Sequence, residues 1–224
     1  MAKIYQFTFN GHNATVIVPE NANGKWIWKT EFFDAFDQAE QALLERGYTR
    51  VYYQISDQYG CYKIVRKMRA FYKHVVKEFS LSEKCCLFGF SRGGLYAFNF
   101  ALAYPDYVEK MYLDAPVMDL KSWPLIDSRE QKQMFACYSL KGKTLLTFQD
   151  NPVDNLAEYF ALNIPTLVIA GAKDELVPVA ENCGVMIEYC EAHKLPLEVI
   201  IKPECAHHPH SLEDVTPIVE FIEK

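Results

Sequence analysis

The sequence predicts an α/β domain in which a mainly parallel, twisted sheet carries helices on both faces. Two observations predict it. Apolar, strand-like runs alternate with segments of helical periodicity along most of the 224 residues. The central runs, such as CCLFGF and TLVIAG, are almost wholly apolar, as in strands that are covered on both faces. A chain of this length is expected to fold as one domain, residues 1–224, with a small cap segment over about residues 115–150.

The first third of the chain predicts a hairpin followed by a helix, a strand and a second helix. KIYQFTF and ATVIVP are joined around Asn10-Gly11-His12-Asn13, and Asn-Gly between alternating apolar runs is a strong hairpin signal. A polar loop, ENANGKWIWK, precedes a helix predicted over Thr30–Arg46. RVYYQIS predicts the next strand, and the apolar spacing over residues 61–79 predicts the next helix.

The rest of the chain continues the alternation of strand and helix. KCCLFGF, VEKMYLD, PTLVIAG and LEVIIKP predict four strands. A helix is expected to begin near Arg92, and further helices are expected over residues 153–162, 178–192 and 212–222. Residues 115–150 show no clear period but are rich in aromatic side chains, which favours an ordered cap over a disordered loop.

Composition and charge exclude several classes of protein. The formal net charge is −6 and no Lys/Arg cluster stands out, which argues against a nucleic acid or an anionic membrane as partner. No run approaches the about 18 apolar residues of a membrane span, and the N-terminus has no signal-peptide core. The seven cysteines show no paired spacing, which is typical of reduced thiols in a cytoplasmic protein.

The segment Gly89-Phe90-Ser91-Arg92-Gly93 fits the G-x-S-x-G pattern of a nucleophile elbow. It lies where an apolar strand meets a helix, the context that this motif requires. The N–H of Arg92 would then be one donor of an oxyanion hole. The alternative is a glycine-rich strand–helix turn that contains a serine by chance.

A serine nucleophile needs a histidine base and a carboxylate that orients it. Asp174 follows the strand PTLVIAG, and His207 follows the strand LEVIIKP. Since parallel strands end at the same edge of a sheet, both would lie near Ser91. Glu175 and Asp114, the latter at the end of VEKMYLD, are alternative acids.

Two further histidines lie in the same loop as His207. His208 and His210 are alternatives for the base, or line the site, or cap the last helix. The HHPH cluster lacks an evident carboxylate or cysteine partner set in the sequence. We therefore expect no metal and no cofactor.

These motifs resemble the α/β-hydrolase superfamily over nearly the whole chain. GFSRGG resembles the nucleophile elbow, PTLVIAGAKDELVP the acid strand and its loop, and CAHHPHSLED the histidine loop. GKWIWKTEFFDAF, SDQYG and LDAPVMDLKSWP resemble a subgroup of small bacterial serine hydrolases. The resemblance implies that His207 is the base. Pro19-Glu20 replaces the usual His-Gly, so the second oxyanion donor is expected in the backbone between Glu20 and Lys29, with Glu20 as the candidate.

Four side chains are candidates for contact with substrate. Trp26 and Trp28 either form an aromatic wall of the site or fix their loop to the core. Asp114 and His208 are the other two. The function predicted is hydrolysis of a small carboxylic ester through an acyl-enzyme. Thioester or amide hydrolysis, acyl transfer on the same triad, and a non-catalytic ligand-binding protein with this fold are the alternatives.

Overall fold

Eight strands form one sheet in the computed structural model, which describes residues 2–224 apart from the side chains of residues 142 and 143. The strand order is β1-β2-β4-β3-β5-β6-β7-β8. β1 pairs antiparallel with β2, and β2 pairs antiparallel with β4. From β4 onward in this order, every pair of neighbouring strands is parallel. The strands are β1 Lys3–Phe9, β2 His12–Val18, β3 Trp26–Lys29, β4 Thr49–Tyr53, β5 Cys85–Phe90, β6 Val108–Asp114, β7 Thr166–Gly171 and β8 Glu198–Lys202.

Helices cover both faces of this sheet, as predicted. The helices are α1 Gln38–Glu45, α2 Tyr62–Glu78, α3 Gly93–Ala103, α4 Arg129–Tyr138, α5 Gly142–Leu145, α6 Leu156–Ala161, α7 Cys183–His193 and α8 Thr216–Glu223. α2, α3, α6 and α7 share one apolar core with the sheet, and α1 and α8 share the other. The adjacent Cys85 and Cys86 belong to different cores because successive side chains of a strand point to opposite faces.

The predicted opening hairpin is present, and its turn consists of Asn10 and Gly11 because β2 already begins at His12. Asn10 and Gly11 both have positive φ, 47° and 81°, which matches the twist of the strands that they join. β2 then pairs antiparallel with β4. The carboxyl end of β2 consequently lies beside the amino ends of the parallel strands.

The prediction for residues 25–46 was wrong in two respects. WIWK is not loop but the central strand β3, buried on both faces. The helix starts only at Gln38, and Thr30 does not cap it. The Thr30 hydroxyl instead donates toward the carbonyl oxygens of Phe88 and Gly93, which joins the end of β3 to β5 and α3.

Residues 115–150 contain two helices, α4 and α5, rather than the wholly irregular structure expected. Ser128 caps α4 by accepting a hydrogen bond from the Gln131 N–H at 3.0 Å. A separate apolar cluster joins this segment to the elements around it: Tyr59, Leu95, Val117, Leu120, Trp123, Met134, Leu145 and Val177.

Two expectations from composition can be compared with the structure. All seven cysteines are free. In the part of the chain that the structure describes, no helix combines the length and the apolar character that a bilayer span requires.

The close approach of β7 to the histidine loop leads to a test of the fold. A Cβ at Gly171 would lie 2.1 Å from the carbonyl oxygen of Ala206 and 2.4 Å from that of Cys205, and backbone has little room to move. We expect Gly171→Ala to lower the free energy of unfolding in urea by about 3 kcal/mol. Gly11→Ala is the control, since its Cβ meets no atom within 4 Å and only the positive φ opposes it. That variant should lose about 1 kcal/mol; equal losses would contradict the steric argument.

Candidate active site

Ser91 lies in the sharp turn between β5 and α3. Its φ of 50° places it in the left-handed region, which side chains rarely adopt. The flanking glycines permit the turn because strand and helix approach closely there. A Cβ at Gly89 would lie 2.9 Å from Cβ of Ala97, and a Cβ at Gly94 would lie 2.5 Å from Cβ of Pro116. The turn has the geometry of a nucleophile elbow.

The structure brings Ser91, His207 and Asp174 together in a chain of two hydrogen bonds. The His207 Nε2 lies 2.9 Å from the Ser91 Oγ, and its Nδ1 lies 2.7 Å from the Asp174 Oδ2. All three side chains are buried. They come from three loops at the carboxyl edge of the sheet, after β5, β7 and β8. This is the arrangement in which a histidine can take the proton of a serine.

The environment of Asp174 keeps its carboxylate charged. Burial alone would raise the pKa of this carboxyl, but hydrogen bonds outweigh burial and the pKa lies below its ordinary value. The donors are His207 and the N–H groups of Val177 at 2.8 Å and Leu176 at 3.0 Å. A lowered folded-state pKa means that these contacts stabilise the fold fully above the ordinary carboxyl pKa of about 4. That contribution is lost as the pH falls through the lower pKa.

Asp114, the alternative acid, contacts the third histidine instead of His207. Its carboxylate accepts hydrogen bonds from His210 Nδ1 at 2.7 Å, from the Ser211 N–H at 2.8 Å and from the Tyr112 hydroxyl. The side chain is 1% exposed. The site therefore contains two Asp–His pairs, of which only that of Asp174 reaches Ser91. Asp114 does not line the cavity beside Ser91, so its place among the substrate contacts is corrected.

The remaining alternatives lie apart from the serine. Glu175 is exposed. His208 is also exposed, and its ring stacks on Phe36 with centroids 5.7 Å apart. It lines the cavity, as expected of a substrate contact.

A cavity of about 340 Å³ opens beside Ser91. Its walls are mainly aromatic and aliphatic, with three histidines and one arginine. The lining residues are Phe32, Ala35, Phe36, Ser91, Arg92, Trp123, Leu176, His207, His208 and His210. Trp123 reaches the cavity from the segment 115–150. The cavity can therefore hold an apolar group next to the serine hydroxyl.

The guanidinium of Arg92 lies at the cavity but is paired with two carboxylates. Its Nη1 lies 2.7 Å from the Asp57 Oδ1, and its Nη2 lies 3.4 Å from the buried Glu31 Oε2. The guanidinium carbon also lies 5.3 Å from the ring centroid of Phe32. Burial raises the pKa of Glu31, and the charge of Arg92 opposes that rise. The arginine charge is thus largely compensated within the chain.

Trp26 and Trp28 do not form a wall of the site; the packing alternative is correct. Both are 1% exposed and lie on β3 in the core. Trp28 stands edge-on to Phe100 with ring centroids 5.2 Å apart, and Trp26 donates from Nε1 to the Ser82 carbonyl oxygen at 2.9 Å. They face α2 and α3 because alternate residues of a strand share one face.

Glu20 was wrongly placed beside the nucleophile. It follows β2, whose antiparallel direction carries the chain to the opposite edge of the sheet. The loop that reaches Ser91 follows β3, as the position of Phe32 in the cavity wall shows. Phe32 has a φ of 56°, so this loop turns sharply at the site. Sequence reasoning missed Phe32 and Phe36, and the signal that could have found them was the apolar run WIWK read as a strand.

Solved structures with similar folds include two proteins of about the same length as this chain and domains of larger peptidases. TT1662 from Thermus thermophilus is 16% identical with a TM-score of 0.66, over 100% of this chain and 97% of that one. FphF, a fluorophosphonate-binding serine hydrolase of Staphylococcus aureus, is 16% identical with a TM-score of 0.67, over 100% and 94%. Dipeptidyl peptidase 4 of Porphyromonas gingivalis is 13% identical with a TM-score of 0.67, over 92% of this chain. A search of curated proteins found no match.

The chain spans about a third, 32%, of the length of the P. gingivalis dipeptidyl peptidase. At such identities the likeness shows the α/β-hydrolase fold. The sequence itself matches the model of the prolyl oligopeptidase family, Peptidase_S9, over residues 36–224, a range that includes Ser91, Asp174 and His207. The chain therefore belongs to the prolyl oligopeptidase family.

Proposed function

We propose that this protein hydrolyses carboxylic esters of small molecules through an acyl-enzyme. The observation that carries the proposal is the continuous chain of hydrogen bonds from Asp174 through His207 to Ser91, which ends at the cavity. No cofactor takes part in this chemistry. Residues 1–224 act as one catalytic domain, and the segment 115–150 forms a cap whose Trp123 closes one side of the cavity.

In the reaction, Ser91 Oγ attacks the ester carbonyl carbon while His207 Nε2 takes the hydroxyl proton. The imidazolium then gives that proton to the leaving alcohol oxygen as the C–O bond breaks, which leaves the acyl group on Ser91. Water repeats the sequence and releases the acid. Asp174 holds Nδ1 of His207 protonated, so that Nε2 has the free lone pair that the first step needs.

The oxyanion hole is formed by the N–H groups of Arg92 and Phe32. Arg92 directly follows the nucleophile and begins the first turn of α3, where N–H groups are free and the helix dipole favours negative charge. Phe32 faces the cavity from the loop after β3. Among the described residues, neither N–H has a hydrogen-bond partner. Donors of this kind stabilise the tetrahedral intermediate.

An ester fits the cavity better than the end of a peptide does. None of the residues that line it carries a carboxylate, so a substrate ammonium group would find no opposite charge there. The one arginine is already paired with Asp57 and Glu31. A neutral acyl group against Phe32, Phe36 and Trp123 uses the surface that is present.

Paired substrates with the same acyl group test this choice. We expect p-nitrophenyl esters of short and medium aliphatic acids to be hydrolysed, and the matching p-nitroanilides to be hydrolysed far more slowly, as measured by kcat/KM. An aminoacyl or dipeptidyl anilide that is cleaved faster than these esters would instead indicate a peptidase.

Ser91→Ala should abolish turnover and leave the fold intact. Its hydroxyl contributes chemistry rather than packing, and loss of a triad member lowers kcat by about 10⁴ to 10⁶. The measurements are ester hydrolysis, labelling by a fluorophosphonate probe and urea unfolding. Wild type should be labelled and the variant should not. A variant that keeps half of the activity, or a wild type that is never labelled, would favour the non-catalytic alternative.

Asp174→Asn should lower activity far more than Asp114→Asn does. The first variant presents an amide to His207 and can hold the wrong tautomer, so kcat should fall by about 10³ or more. Asp114→Asn should retain much more activity. It should lose about 1–3 kcal/mol of unfolding free energy, because the amide NH₂ would face three groups that already donate to the Asp114 carboxylate. The reverse ranking of kcat would assign the catalytic acid to Asp114.

A further inference from the structure

The three histidines of the loop after β8 surround a common point. The ring centroids of His207, His208 and His210 are 4.9 Å apart in all three pairs. The angles between the ring planes are 73°, 79° and 88°, so the three rings are nearly perpendicular to one another. One nitrogen of each ring lies within 4.8 Å of the nitrogens of the other two.

Two of the three rings are already oriented as metal ligands usually are. His207 donates from Nδ1 to Asp174 and His210 donates from Nδ1 to Asp114, each at 2.7 Å. A carboxylate behind a histidine fixes its tautomer and makes the other ring nitrogen more basic. Nε2 is therefore the nitrogen of each ring that is left to bind a metal, and a metal at His207 would replace its present contact with the Ser91 Oγ at 2.9 Å. His208 is exposed and, among the described residues, has no hydrogen-bond partner for either ring nitrogen.

We propose that His207, His208 and His210 form a binding site for a divalent transition-metal ion of the zinc type. Zinc binds histidine nitrogen at about 2.0–2.1 Å, which places tetrahedral ligand atoms about 3.3 Å apart. The three nitrogens lie within 4.8 Å of one another, so at least one ring must move inward for the ion to bind, and the exposed His208 is the ring that we expect to move. Three histidines and a water complete the tetrahedron.

The charges around the cluster favour a cation. Asp174 and Asp114 place two carboxylates directly behind the ligands. The nearest cation on the cavity wall, Arg92, is paired with Asp57 and Glu31. The Nζ of Lys202 donates to the carbonyl oxygens of Pro209 and Ser211 in the same loop.

Metal binding at this site turns the hydrolase off. The lone pair of the His207 Nε2 would be bound to the metal and could no longer accept the proton of Ser91. Inhibition rests on the proposed function, whereas binding of the metal does not. The two are therefore measured separately.

The experiment titrates Zn²⁺ into protein that has been freed of metal with a chelator. Calorimetry gives affinity and stoichiometry without turnover, and ester hydrolysis at each Zn²⁺ concentration is normalised to the same variant's zinc-free rate. His208→Ala and His210→Gln remove ligands. His193→Ala, an exposed histidine outside the cluster, and Cys205→Ser, a neighbouring thiol, are the matched controls. Ser91→Ala tests binding in a protein that lacks the nucleophile.

We expect one Zn²⁺ per chain in wild type and in Ser91→Ala, with inhibition of wild type that a chelator reverses. Each ligand variant should weaken binding about tenfold or more, since even loss of a partner behind a ligand costs about 10- to 100-fold. The controls should bind as wild type does. Absence of binding, or binding that both ligand variants leave unchanged, overturns the proposal. Tight binding to a protein that hydrolyses no ester would support the metal site and contradict the proposed function.

Discussion

Asp114 joins the nucleophile elbow to the histidine loop, and the geometry of the site depends on this connection. Its carbonyl oxygen accepts a hydrogen bond from the Ser91 N–H at 2.9 Å. Its carboxylate holds His210 and the N–H of Ser211 from the loop that carries His207. Asp114, a single buried residue at the end of β6, thus helps to set the distance between Ser91 and His207. The carbonyl oxygen and the carboxylate of Asp114 belong to one residue of a rigid strand. A small displacement of the loop that carries Ser91, or of the loop that carries His207, would therefore strain buried hydrogen bonds, which are costly to lose.

The residues of the candidate site could be predicted because each lies directly after an apolar strand. An apolar, strand-like run precedes each of Ser91, Asp174 and His207 in the sequence. Parallel strands have their carboxyl ends at the same end of the sheet, so the residues that follow these runs are brought together. Choosing between Asp174 and Asp114 needed the structure. Both carboxylates follow strands that are neighbours in the sheet, and each has a histidine as partner. The sequence shows that there are two carboxylates and several histidines, but not which pair meets the serine.

The incorrect expectation for Glu20 and the ambiguity of Trp26 and Trp28 have one cause, which is that the short strand β3 was not recognised in the sequence. Four buried residues offer too little length for periodicity, and polar residues on both sides favoured a loop. Without β3, the strand before the loop that reaches Ser91 was taken to be β2, and Glu20 was expected in the place where the structure has Phe32. The direction of β2 is set by its pairing with β4, a long-range contact that no local pattern reports. Trp26 and Trp28 were ambiguous for the same reason, since their burial follows from the position of β3 inside the sheet.

Charge compensation at Arg92 connects the fold to the choice of substrate. A bare guanidinium beside the nucleophile would attract carboxylates or phosphates, and an unpaired Glu31 would attract amines. In this chain Glu31 and Asp57 compensate the charge of Arg92, and the guanidinium carbon lies 5.3 Å from the ring centroid of Phe32. The pairing fixes the side chain that follows the nucleophile, and so supports the turn in which the Arg92 N–H lies. What remains open to a ligand is an apolar surface with histidine nitrogens at one end, which suits the neutral acyl group of the proposed substrate.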